Sequence, residues 1–83
     1  MGKTTLGTWT EKNINLSRVI RSYMERTGTN REKIVAKAHI SLPTFYVHLR
    51  DPDKITLGEF RAYINTLKIP KEDILNALYL DKE

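Results

Sequence analysis

Apolar residues recur along this chain with the period of helices, and no segment shows the strict alternation of a half-buried strand. In "NLSRVIRSYMERTG", Leu16, Val19, Ile20, Tyr23 and Met24 fall at i, i+3, i+4, i+7 and i+8, which is one stripe of an amphipathic helix. Asn15 suits its start, and Gly28 suits the left-handed residue that ends it. "TNREKIVAKAHIS" predicts a second, short helix with Ile34, Val35 and Ala38 on its inner face. Thr29 or Asn30 serves as its N-cap, and Thr29-x-x-Glu32 fits a capping box. "TLGEFRAYINTL" opens on Thr56-x-x-Glu59, a further capping box, and carries the stripe Leu57, Phe60, Tyr63, Ile64 and Leu67. "KIPKEDILNALYL" has Pro70 near a helix start and Glu72 and Asp73 in the first turn, where the helix dipole favours acids. Its apolar side is Ile74, Leu75 and Leu78, with Tyr79 at the margin.

Between these lies "SLPTFYVHLRDP", which predicts a helix from about Leu42 to Arg50. Ser41 is a good N-cap, so Pro43 becomes the second helical residue, where a missing N–H costs little. Asp51 precedes Pro52, which disfavours continuing the helix. Phe45 and Leu49 point inward, leaving Leu42, Thr44, Tyr46, Val47 and Arg50 as the outer side. Residues 1–13 are polar and Thr-rich with Gly2 and Gly7, and predict a flexible N-terminal arm. The expected fold is therefore all-α: a compact five-helix domain over residues 14–83, preceded by the arm.

The chain has 83 residues, which fits one small domain. It has no cysteine, which excludes a disulfide framework and a thiolate zinc site and makes the cytoplasm the expected location. No apolar run approaches the length of a membrane span, and "MGKTTLGTWTEKN" has no signal-peptide core. The Met-Gly start superficially fits myristoylation, a reading without further support. Charge is uneven. Residues 1–50 hold nine Lys and Arg against three acids, a balance of +6, and residues 51–83 hold five against seven, a balance of −2. One basic surface meeting a polyanion would account for this, as would an unevenly solvated exterior.

The two short helices at about 30–38 and 42–50 are joined by His39, Ile40 and Ser41, which is the spacing of a helix-turn-helix. From Leu16 to Leu78, and most specifically in "PTFYVHLRDPDKITLGEF", the chain resembles the XRE or Cro/repressor-type regulators of bacterial phages and mobile elements. In these, an S-x-x-TF helix is followed by L-x-x-P-x-x-x-TLGE. The resemblance implies a repressor-like domain that binds double-stranded DNA with residues 42–50 in the major groove, often as a homodimer on two half-sites. The family usually has glycine where His39 stands, and often glutamine where Arg31 and Leu42 stand. A histidine takes positive φ more readily than most residues.

The candidate DNA-binding residues are Asn30, Arg31, Lys37, Ser41, Leu42, Pro43, Thr44, Tyr46, Val47, Arg50 and Lys54. Leu42 and Val47 suit thymine methyls, and Thr44 and Tyr46 bring hydroxyls. Arg50 and Lys54 suit backbone phosphates, as does Arg31 at a helix start. The plain alternatives are a solvated face for Arg31, Lys33 and Lys37, and packing against the arm or a second chain for Tyr46 and Val47. That alternative supports a different class of function, a protein-interaction module such as an antirepressor or assembly factor. His39 and His48 lack companions for a metal site; His39 reads as a turn residue and His48 as a half-buried partner of a backbone group. No nucleophile–base set, phosphate loop or paired carboxylates appears, so neither enzyme activity nor a cofactor or small-molecule ligand is expected. Trp9 either folds back onto the core or anchors a partner. The apolar residues of the last helix, Leu78 among them, predict a homodimer contact or, more plainly, closure of the core.

Overall fold

The stripe from Leu16 to Met24 lies on a helix much longer than its apolar part. A computed structural model describes the backbone of residues 2–78 and the side chains of residues 11–78. Its helices are α1 (Gly2–Thr27), α2 (Arg31–Ala38), α3 (Leu42–Arg50), α4 (Leu57–Leu67) and α5 (Lys71–Leu78). A 3-10 turn at Pro52–Lys54 links α3 to α4, and no strand occurs among the described residues. Tyr79 and the side chain of Trp9, for which the sequence carries expectations, lie outside the described residues.

α1 corrects the expectation of an arm over residues 1–13, because it is helical from Gly2 onward. Residues 2–27 contain no proline. Once a helix exists, each further residue adds one backbone bond for one residue fixed, so weak formers such as Thr and Gly do not stop it. Lys12 Nζ also donates to the Asn76 carbonyl oxygen at 2.9 Å, which ties α1 to α5 before the apolar stripe begins.

Three helices end in the same way. Gly28, His39 and Lys68 each adopt a left-handed conformation, with φ of 68°, 58° and 57°. The next amide then reaches back five residues, Thr29 to Met24, Ile40 to Val35 and Ile69 to Ile64, at 3.1–3.2 Å. This is the Schellman closure, which satisfies a terminal carbonyl. Glycine does it freely at residue 28, whereas His39 and Lys68 pay about 1–2 kcal/mol for it.

The helices enclose one core. α1 contributes Leu16 and Ile20, α2 Ile34, α3 Phe45 and Leu49, α4 Phe60, Tyr63 and Leu67, and the α4–α5 link Ile69. Its polar members are bonded: Ser17 Oγ donates to the Leu49 carbonyl, and His48 Nδ1 meets the Tyr63 hydroxyl at 2.6 Å. Burial pushes the Tyr63 phenol well above its ordinary pKa. His48 is thus fully buried against side chains, Tyr63 and, at 3.5 Å from Nε2, Glu59, and not half-buried against a backbone group as expected. In α5 the buried residue is Ala77, while Leu75 and Leu78 are exposed. Leu57, placed by periodicity in the α4 stripe, is 63% exposed. It is the first residue of α4, and its side chain reaches past the edge of the core.

Thr56 and Glu59 form the reciprocal capping box at the start of α4. Thr56 N donates to Glu59 Oε1 at 2.8 Å, and Glu59 N donates to Thr56 Oγ1 at 3.1 Å. The backbone bond from Thr56, then its hydroxyl and the nearby His48, hold the Glu59 carboxyl below its ordinary pKa despite partial desolvation. A carboxyl depressed by folding contributes stability that is present above its unfolded pKa and is lost as pH falls through its folded value. In urea, Thr56→Ala is expected to lower stability by about 1 kcal/mol at neutral pH. Glu59→Gln is expected to lose less stability than the parent between pH 6 and roughly pH 3, because the group that must be protonated is gone.

Candidate functional site

α3 begins as its sequence dictates. Ser41 Oγ accepts from Thr44 N at 3.3 Å, and Pro43 sits in the first turn. The Ser41 and Thr44 hydroxyls are also bonded to each other at 2.9 Å. Phe45, His48 and Leu49 anchor the inner side of the helix, and the Phe45 ring meets Tyr63 edge-on at 5.8 Å. Pro43, Tyr46 and Arg50 are exposed, and Thr44 and Val47 are half-buried. Leu42 departs from its expected outer position: it is half-buried and packed against the core. The reason is helical spacing. Leu42, Phe45 and Leu49 stand at i, i+3 and i+7, so one inner stripe takes all three.

α2 meets α3 through the left-handed turn at His39. Asn30 is the N-cap, its Oδ1 accepting from Lys33 N at 2.9 Å, so the Thr29–Glu32 capping box is not formed. Arg31 lies against α3. Its guanidinium carbon is 5.9 Å from the centre of the Tyr46 ring, within cation–π range. Its contact to Glu32 Oε2 at 3.8 Å is exposed and energetically slight. Arg31 and Tyr46 are therefore one unit: a flat phenol, 41% exposed, with a cation beside its face.

At the far end of α3 the structure assembles a cluster that no local motif predicts. Arg50 shares a cleft of about 440 Å³ with Arg18 and Arg21 of α1, floored by Ser17 and Leu49 and edged by Asp51 and Asp53. The Ser17–Leu49 bond fixes α1 against the end of α3. Arg18 and Arg21 are three residues apart on one helix face, which the sequence displays. That this face turns toward Arg50 is tertiary information. Lys54 is exposed on the adjacent 3-10 turn.

Lys37 stands apart from these residues. With Lys33 it lines a groove shared with α4, and about the helix axis it is roughly 120° from Arg31. The expected set thus divides. Arg31, Ser41, Pro43, Thr44, Tyr46, Val47 and Arg50 belong to α3 and its edges, Lys54 to the 3-10 turn after it, Asn30 is a cap, Leu42 packs on the core, and Lys37 faces elsewhere. Among the described residues no group of three or more His, Asp and Glu side chains is placed to hold a metal ion, and no helix is long and apolar enough to cross a membrane. No family model matches the chain, and no curated protein and no solved structure matches it either.

Proposed function

We propose that this chain is a sequence-specific double-stranded DNA-binding regulator of transcription, of the XRE or Cro-repressor kind found in phages and mobile elements. The observation that carries the reading is α3: a short, capped helix held by its inner side, with a partly exposed outer side that has a cation beside its middle and a cluster of cations at its C-terminal end. Arg31 stands beside Tyr46 at mid-helix, and Arg18 and Arg21 join Arg50 at the end of α3. With α2 it forms a helix-turn-helix whose second helix enters the major groove. Pro43, Thr44, Tyr46 and Val47 then face base edges, and these cations take backbone phosphates. The regulator acts in the cytoplasm and needs no cofactor.

A homodimer extends this reading. Leu78 is 44% exposed and lines an apolar groove of about 250 Å³ with Leu16, Pro52, Ile55, Leu57 and Phe60. A second copy meeting this face brings two α3 helices onto a palindromic site about one DNA turn apart, roughly 34 Å. Sedimentation equilibrium at tens of micromolar is expected to give a dimer, and Leu78→Asp a monomer. A monomer at every concentration removes the dimer from the proposal.

Selection of bound fragments from a random duplex library tests the function itself. The expected product is a single enriched motif, lost on Tyr46→Ala. Recovery of no motif favours the other reading, a protein-interaction module, to which the half-buried Val47 and the Arg31–Tyr46 contact lend support.

A further inference from the structure

The side of α2 turned away from α3 carries a second charged surface. Lys33 and Lys37 of α2, Ala62, Asn65 and Thr66 of α4, and Lys68 just after α4 line a groove of about 480 Å³. No carboxylate lines it, and none of the three lysines has an ion-pair partner among the described residues. We propose that this groove binds an acidic peptide segment of a partner protein, in extended conformation, while α3 remains free for DNA.

Charge gives the sign of the partner. Three ammonium groups without counter-charges focus a positive potential into one concave strip, which attracts anions and speeds their capture. Lys68 holds its place at some expense, since its left-handed backbone is one that glycine adopts freely.

The uncharged lining identifies the anion as a peptide. Asn65 is exposed and offers both a donor and an acceptor in its side-chain amide. A peptide backbone presents both N–H and C=O groups and can engage both, whereas a phosphodiester presents acceptors only. Ala62 has no side chain beyond Cβ, so a main chain can lie close to α4 there. Spacing agrees. Lys33 and Lys37 are one turn apart, about 6 Å along the axis. Alternate residues of an extended strand are separated by roughly 6.6 Å and point to the same side. An acidic residue at every second position therefore meets successive lysines.

The probe is a fluorescein-labelled octapeptide of alternating Asp and Ser, with the Asn/Ser octapeptide as control, added to the full chain at low ionic strength. Amide chemical shifts are expected to move at Lys33, Lys37, Asn65 and Lys68 and to stay in place along 42–50. Anisotropy is expected to show at least tenfold weaker binding in the Lys33→Gln/Lys68→Gln double variant and in no case binding of the Asn/Ser control. Both substitutions are on exposed positions, and urea unfolding checks that the variant folds as the parent does. A random DNA duplex is expected to bind parent and double variant within twofold of each other. Three results overturn the proposal: no binding of the acidic octapeptide, shifts confined to α3 or the Arg18–Arg50 cleft, or a duplex affinity that falls together with the peptide affinity, which makes the groove a phosphate site. The peptide readout stands whether or not a duplex binds, so its failure is separate from failure of the DNA reading.

Discussion

Replacing Phe45 with alanine is expected to cost about 3–5 kcal/mol of folding stability. The ring is 1% exposed, and it meets Tyr63 edge-on, so the substitution removes both transfer energy and an aromatic pair and leaves a cavity. Tyr63 of α4 borders that cavity, and α4 cannot collapse into it without leaving its other partners in the core. A domain of this size has a total stability of about 5–15 kcal/mol, so the loss is a large part of the whole. Urea unfolding reads it as a lower midpoint at unchanged slope. A midpoint equal to the parent's would take Phe45 out of the core. Tyr46→Ala, one residue along and largely outside the core, is the matched control and is expected to change stability by only about 0.5–1 kcal/mol.

The second large effect is on DNA binding. If Arg18, Arg21, Arg50 and Arg31 or Lys54 neutralise about four phosphates, log K falls by about 0.9 per phosphate for each decade of salt. Between 50 and 200 mM salt this amounts to a loss on the order of 100-fold in affinity. Arg50→Ala is expected to weaken binding to all duplexes alike and to reduce the slope by about one. Arg18→Ala and Arg21→Ala are expected to do the same, because their side chains line the same cleft. Fluorescence anisotropy on a random duplex, titrated with potassium chloride, measures all four proteins. A flat salt dependence in the parent would count against DNA and for the interaction module. A normal slope in the parent with no change in Arg18→Ala and Arg21→Ala would confine the contact to α3.

Local chemistry was the legible part of this chain. Ser41, Asn30, Thr56 with Glu59, and Gly28 announce helix ends because each solves a backbone problem within four residues of itself. Lys68 gave no such signal, since a left-handed lysine is held by what surrounds it and not by its own preference. Periodicity placed Phe45, Phe60, Tyr63 and Leu67 correctly but also drew in Leu57 and Leu75, which are exposed. A stripe shows which way a helix faces and does not show where its neighbours end. The same limit hid the division of the candidate site. That Lys37 and Arg31 stand on different faces of α2 follows from residue spacing, but whether a groove opens beside Lys37 depends on α4. The meeting of Arg18 and Arg21 with Arg50 depends on how α1 crosses the end of α3. His48 reads as an isolated histidine until Tyr63, fifteen residues away, supplies its partner.

The first and last described helices lie side by side, with Lys12 reaching Asn76 and the Tyr23 hydroxyl bonded to the Asp73 carboxylate. That arrangement has a consequence for synthesis. A chain interrupted before residue 71 holds α1 to α4 without α5. Tyr23 has no acceptor and the flank of α1 beside Val19 stays wet until Asp73 and Ala77 arrive. Joining these segments closes a loop of some fifty residues, yet loop entropy grows only logarithmically with length, so the closure costs little more than that of a short loop. A chain cut before Asp73 therefore carries α3 in full but leaves one flank of α1 without the helix that covers it.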